Sequence, residues 1–222
     1  MGTDMHLTFR TPLILLAMAD LAILGARLWP WQDVMSLPGN GATGLDPAVS
    51  LVSYIVLGFW ITNTRVAPAR KSLFSAAMLG LVAGLLLAAQ VMLAARPPAG
   101  DGSTATIQMV LMAAAALVCG FAGLKASRTG VSLGFSAVCA AWAAMVGCLM
   151  ACAVILVQGY FAMGPPESPD PWKQYEGLAI GTPATQALVH SLNSVTGFLL
   201  IGPIVGCLAG FLFAKFGPSR KA

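Results

Sequence analysis

Charged side chains are scarce in this chain of 222 residues: Lys and Arg number 12 and Asp and Glu number 8, together 9% of the sequence. A soluble domain carries about 25% charged residues, so this composition excludes an ordinary soluble protein. The net charge of +4 is small and scattered along the chain. It therefore excludes binding to nucleic acid, which requires a basic face or stripe.

Histidine is almost absent, and cysteine is absent from the polar segments. The two histidines are His6, in the polar N-terminal tail, and His190, so they cannot together ligate a haem within a membrane. The sequence contains neither a Walker loop nor a His-Glu-x-x-His motif. We therefore expect no cofactor, no metal centre and no enzymatic activity. All five cysteines lie in apolar runs, which indicates small buried residues rather than disulfides: Cys119, Cys139, Cys148, Cys152 and Cys207.

Apolar residues make up the bulk of the chain, at 58% of the sequence with a mean hydropathy of +0.82. One membrane-spanning helix uses about 20 residues, so the apolar content suffices for about six. The sequence therefore predicts an all-α polytopic integral membrane protein, with one domain over residues 1–222 that is a bundle of six transmembrane helices. The expected spans are approximately 12–29, 47–63, 72–95, 104–124, 131–163 and 183–214.

Local sequence signals refine this arrangement. Three spans begin with a capping residue followed by proline, which fits the first helical position: Thr11-Pro12, Asp46-Pro47 and Thr182-Pro183. The connections between spans two and three and between spans four and five are short. Each of these two pairs is therefore predicted to form an antiparallel hairpin.

The distribution of Lys and Arg predicts the orientation. If the six spans alternate, nine of these residues lie on the side of the two termini, and Arg27, Arg96 and Lys173 lie on the other. Cytoplasmic segments carry the excess of positive charge, so both termini are expected to be cytoplasmic. The composition, though no specific motif, resembles that of small bacterial inner-membrane proteins. We therefore expect a multi-pass protein of the inner (plasma) membrane.

Two ionisable residues, Asp20 and Arg27, lie inside the first span. They are seven residues apart and so share one helix face, and either one near the bilayer centre costs roughly 2.5 to 3.5 kcal/mol. Neither is expected to face lipid. One interpretation is a proton or ion relay. The other is that Arg27 reaches the headgroups and a neighbouring polar side chain satisfies Asp20.

A second polar face lies on the last span, where His190, Asn193 and Ser194 share one side of the helix. Each polar face is costly in a membrane unless it finds a partner. We therefore expect Asp20, Arg27, His190, Asn193 and Ser194 to form one intramembrane polar cluster, with the first and last spans as neighbours. A histidine that donates to a backbone carbonyl is the alternative interpretation.

Small residues on the last span predict close helix packing. Gly202, Gly206 and Gly210 are spaced four apart and leave a flat ridge for another helix. This ridge is expected to serve a contact within the chain, with a dimer interface as the alternative. Pro203 removes one intrahelical hydrogen bond and is expected to bend the helix.

These patterns favour a non-enzymatic integral membrane protein with a structural or regulatory role, or a subunit of a larger assembly. The alternative is a small transporter or channel component that uses Asp20 and the polar face of the last span. The expected partners are the lipid bilayer, other membrane subunits or further copies of the chain.

Overall fold

The chain folds into α-helices, as seen in a computed structural model that describes residues 4–29, 41–62, 67–94, 103–162 and 183–216. Six helices lie within these ranges: α1 (Asp4–Leu28), α2 (Gly41–Thr62), α3 (Ala67–Ala94), α4 (Ser103–Ser127), α5 (Leu133–Ala162) and α6 (Pro183–Phe216). Each coincides with one predicted segment. The helices α3, α4, α5 and α6 are long and apolar enough to cross a membrane, and α2 carries a shorter apolar run over Leu45–Ile61. The fold is therefore that of an all-helical membrane protein.

Two of the three predicted helix starts are wrong. The helix α1 begins at Asp4 and continues through Pro12, and α2 begins at Gly41, so that Pro47 lies inside it. A proline removes only its own backbone N–H from the hydrogen-bond ladder, so the rest of each helix keeps its hydrogen bonds. The prediction for α6 is confirmed, because that helix begins at Pro183.

The fifth helix is the centre of the bundle. In its span, 72% of the residues are buried, against 17% in the span of α6, and α5 contacts each of the other five helices. It has the highest mean hydropathy of the four spans, at 2.4. The buried residues of α5 are mostly alanine and cysteine, and small residues let several helices approach one helix closely, so the composition of α5 explains its position.

The other helices form a ring around α5. Among the described residues, α1 packs on α2, α2 on α6, α6 on α4 and α4 on α3, while α3 and α1 touch only slightly. The predicted α4–α5 hairpin is confirmed. The predicted α2–α3 hairpin is wrong, because these helices are not among the closely packed pairs. The helix α3 packs on α4 and α5 instead.

Glycine and alanine allow the helices to approach the central helix closely. A Cβ atom added to Gly206 of α6 would lie 2.5 Å from the Ala144 Cβ and 2.9 Å from the Ala140 carbonyl oxygen, both on α5. A Cβ atom on Gly147 of α5 would lie 3.2 Å from the Gly80 carbonyl oxygen of α3. Membrane helices associate largely through such close packing, so these small residues hold α3 and α6 on two sides of α5.

Candidate functional site

Asp20 and Arg27 lie in the interior because they occupy the packing seam of α1. The buried residues of this helix follow alternating steps of four and three, a spacing that keeps them on one face: Leu13, Ala17, Asp20, Leu24 and Arg27. This face packs on α2 and α5. Two ionisable side chains thus lie on the packing seam of α1, whose other three residues are apolar.

The Asp20 carboxyl group is fully buried, with 0% of its surface exposed. Neither of its oxygen atoms has a hydrogen-bond partner within the part of the chain that the structure describes. It lies within electrostatic range of the Cys152 thiol of α5. A polar group so placed is costly in a membrane and is the kind of residue that marks a pathway for protons or ions.

Arg27 lies in the last turn of α1 and is 2% exposed. Two helical turns separate it from Asp20, a rise of about 10 Å. Its guanidinium group is buried rather than extended toward the surface, so the expectation that it reaches the headgroups does not describe this structure.

The polar residues of α6 are placed differently. His190 and Asn193 are exposed, and the half-buried Ser194 donates a 2.9 Å hydrogen bond to the His190 carbonyl oxygen. His190 lies 25 residues before Lys215, about 38 Å along α6, which exceeds the roughly 30 Å of a hydrocarbon core, so the exposed His190 can face one membrane interface when Lys215 faces the other. It therefore needs no interior partner.

The first and last helices, expected to be neighbours, are not among the closely packed pairs. Both α2 and α5 pack on each of them. The structure thus brings Asp20 and Arg27 into the interior and leaves His190 and Asn193 at the surface of α6, so these side chains do not share one interior face.

A buried hydrogen bond connects α2 to α6 at the proline of α6. The Tyr54 hydroxyl donates to the Leu199 carbonyl oxygen over 2.7 Å, and Tyr54 is only 3% exposed. In a regular helix this carbonyl would accept from the N–H of residue 203, but Pro203 has none. Tyr54 therefore supplies the hydrogen bond that Pro203 omits. The signal in the sequence was Pro203 itself, which leaves a carbonyl in need of a donor four residues earlier.

A cavity of about 320 Å³ lies between α3, α4, α5 and α6. Its walls are almost wholly apolar, and its rim includes the exposed residues Met112, Ile201 and Val205. Ser194, Gly202 and Gly206 belong to its lining, so the polar face and the glycine ridge of α6 meet there. The sequence analysis missed this cavity, since no single segment encodes it.

The potential chemistry of the remaining polar groups is limited. Residues 130–134 read Gly-x-Ser-x-Gly, a pattern found around hydrolase nucleophiles. Here the Ser132 hydroxyl accepts a 3.3 Å bond from the Phe135 N–H and caps α5, after the turn between α4 and α5 in which Gly130 has a φ of 79°. Among the described residues, no group of three His, Cys, Asp or Glu side chains could hold a metal ion.

The fold and the site together define an all-helical membrane protein with a buried acidic side chain and a lateral apolar cavity. The chain matches no family model, no curated protein and no solved structure.

Proposed function

We propose that the protein is a non-enzymatic, six-span component of the bacterial inner membrane that acts as a subunit or regulator of a membrane assembly. The outer face of α6 is the observation that carries this proposal. Large apolar residues follow one another along it at steps of three to four, all of them exposed: Leu200, Ile204, Leu208 and Phe211. A membrane helix with so little of its span buried offers a long stripe for a neighbouring helix.

The proposed topology has both termini in the cytoplasm. The Ser72 and Thr129 hydroxyls lie 3.0 Å apart, and a Cβ atom on Gly123 would lie 2.7 Å from the Gly210 Cα. These contacts place the start of α3, the α4–α5 turn and the end of α6 at one end of the bundle. Four basic residues lie in these segments, and an excess of positive charge favours the cytoplasmic side: Lys71, Lys125, Arg128 and Lys215.

Reporter fusions test this topology. A reporter fused after Gly100 is expected to be active outside the cytoplasm, and one fused at Ala222 is expected to be active inside it. Each fusion is read with a periplasmic and a cytoplasmic reporter, which control for expression. The topology is wrong if both positions report the same side.

Photo-crosslinking in the native membrane tests the subunit role. A photoreactive amino acid at Leu208, which is 60% exposed on α6, is expected to give one discrete crosslink to another polypeptide. The matched control is Leu15 on α1, which is 63% exposed and is expected to crosslink only to lipid. Lipid products alone at both positions would reject the subunit role.

A second candidate function, proton or ion transport, is favoured by the full burial of Asp20. The two functions differ in reconstituted vesicles, because a subunit conducts nothing by itself. If the vesicles conduct protons, and Asp20→Asn abolishes this flux while the protein still folds, the subunit role is wrong and the protein transports protons.

A further inference from the structure

The lateral cavity exists because the sequence places small residues where four helices meet. Ala115 and Ala116 of α4, Ala144 of α5 and Gly197 of α6 all contribute to its lining. A Cβ atom on Gly197 would meet nothing within 4 Å, in contrast to one on Gly206, which would meet α5. The space beside Gly197 is therefore unfilled by the chain itself.

The walls of this cavity suit hydrocarbon. The Ser194 hydroxyl, a polar group of the lining, already donates to the His190 carbonyl oxygen. Two further lining residues, Cys119 and Cys148, present thiols, which behave as small apolar groups. A ligand with a polar interior portion would leave its own hydrogen-bonding groups unpaired there, and such burial is unfavourable.

The rim and the size of the cavity narrow the choice of hydrocarbon. All four helices that form it are apolar spans, and exposed Met112, Ile201 and Val205 surround the rim, so the cavity opens toward the hydrocarbon of the bilayer. A water molecule occupies about 30 Å³ in the liquid and a methylene group is of similar size. The cavity thus has room for roughly ten methylene groups, a large part of one acyl chain and far less than a helix of about 10 Å diameter.

Polar side chains stand beyond one end of the cavity on the same face of α6. His190 precedes Gly197 by seven residues, which is two turns and about 10 Å along the helix. His190 and Asn193 are both exposed, and His190 lies about 38 Å along α6 from Lys215, at the opposite end of a hydrocarbon core of roughly 30 Å. Imidazole and carboxamide groups donate hydrogen bonds to phosphate oxygens, so this end suits a lipid headgroup.

We propose that the cavity binds one acyl chain of a phospholipid whose headgroup contacts His190 and Asn193. The small residues of α4, α5 and α6 make the space for the chain, and the exposed polar side chains of α6 contact the headgroup. This site gives the protein a lipid-binding activity that does not depend on the subunit role, because the cavity lining and the exposed α6 stripe consist of different residues.

Native mass spectrometry of the purified full-length chain with dioleoylphosphatidylglycerol tests the proposal. Wild-type protein is expected to retain one lipid. Gly197→Leu fills the cavity without a clash and is expected to weaken that binding by about tenfold, since several buried methylene contacts are lost. The matched control is Gly25→Leu on α1, where an added Cβ atom also meets nothing within 4 Å; it is expected to bind like wild type.

Two further measurements keep the outcome decisive. Ala116→Leu fills the cavity from α4 and is expected to reproduce the loss if Gly197→Leu fails to fold. Alkylation of Cys148 by N-ethylmaleimide is expected to slow when lipid is added, while alkylation of Cys139, buried outside the lining, does not change. The proposal is wrong if wild type and both filled variants retain lipid equally. It is also wrong if wild type retains no lipid, or if it retains a second copy of the chain in place of lipid.

Discussion

Replacement of Gly206 by leucine is expected to separate α6 from the central helix and to lower the free energy of unfolding by about 3 kcal/mol or more, at the upper end of overpacking effects. The new Cβ atom would lie 2.5 Å from the Ala144 Cβ and 2.9 Å from a backbone oxygen of Ala140. Backbone cannot rotate away as a flexible side chain can, so the helices must move apart. Thermal denaturation and size-exclusion chromatography in detergent measure the effect.

Two further variants test this prediction: one is a matched control, and the other is expected to recover part of the lost stability. Gly25→Leu makes the same substitution where the new side chain meets open space and is expected to leave stability nearly unchanged. Gly206→Ala combined with Ala144→Gly removes one of the two clashes and is expected to recover part of the stability lost in Gly206→Ala alone. A stable Gly206→Leu protein with wild-type helix packing would contradict the assigned contact.

Removal of the Tyr54 hydroxyl is expected to destabilise the protein by about 1 to 3 kcal/mol, because the Leu199 carbonyl would remain buried without a donor. The hydroxyl donates over 2.7 Å to that carbonyl, and Pro203 cannot replace it. In the Pro203→Ala variant, residue 203 has an N–H that can donate to the Leu199 carbonyl. Tyr54→Phe is therefore expected to lower the free energy of unfolding clearly less in this variant than in the wild type.

A double-mutant cycle measures this coupling. The four proteins are wild type, Tyr54→Phe, Pro203→Ala and the double variant, each unfolded reversibly in mixed micelles. A difference of at least about 0.5 kcal/mol between the two Tyr54→Phe effects would establish that tyrosine and proline act on one carbonyl. Equal effects in both backgrounds would show that Tyr54 contributes only through its packing.

The six helices could be found from the sequence because each is a long apolar segment bounded by polar or turn-forming residues. The positions of the helices relative to one another could not. The central position of α5 follows from small residues around its whole circumference, but the sequence analysis used these residues only to delimit a span. The predicted α2–α3 hairpin was wrong because a short connection limits how far apart two helix ends can lie but does not determine which helix each of them packs on.

The candidate site was predictable only as separate parts. The seven-residue spacing of Asp20 and Arg27 correctly predicts one shared face, since both lie on the buried seam of α1. The position of His190 was misjudged because a polar side chain in a span was assumed to need an interior partner, whereas His190 is exposed on α6. The cavity depends on residues from four helices and becomes visible only in the folded bundle.

The central helix has a consequence for biosynthesis. It is the fifth to leave the ribosome, and 134 residues separate the end of α1 at Leu28 from the end of α5 at Ala162. At about 5 to 20 residues per second, translation of that stretch takes roughly 7 to 27 s. During this interval the nascent helices α1 to α4 lack α5, one of the two helices that pack on the face of Asp20, and a chain truncated after α4 would leave that acidic group more exposed.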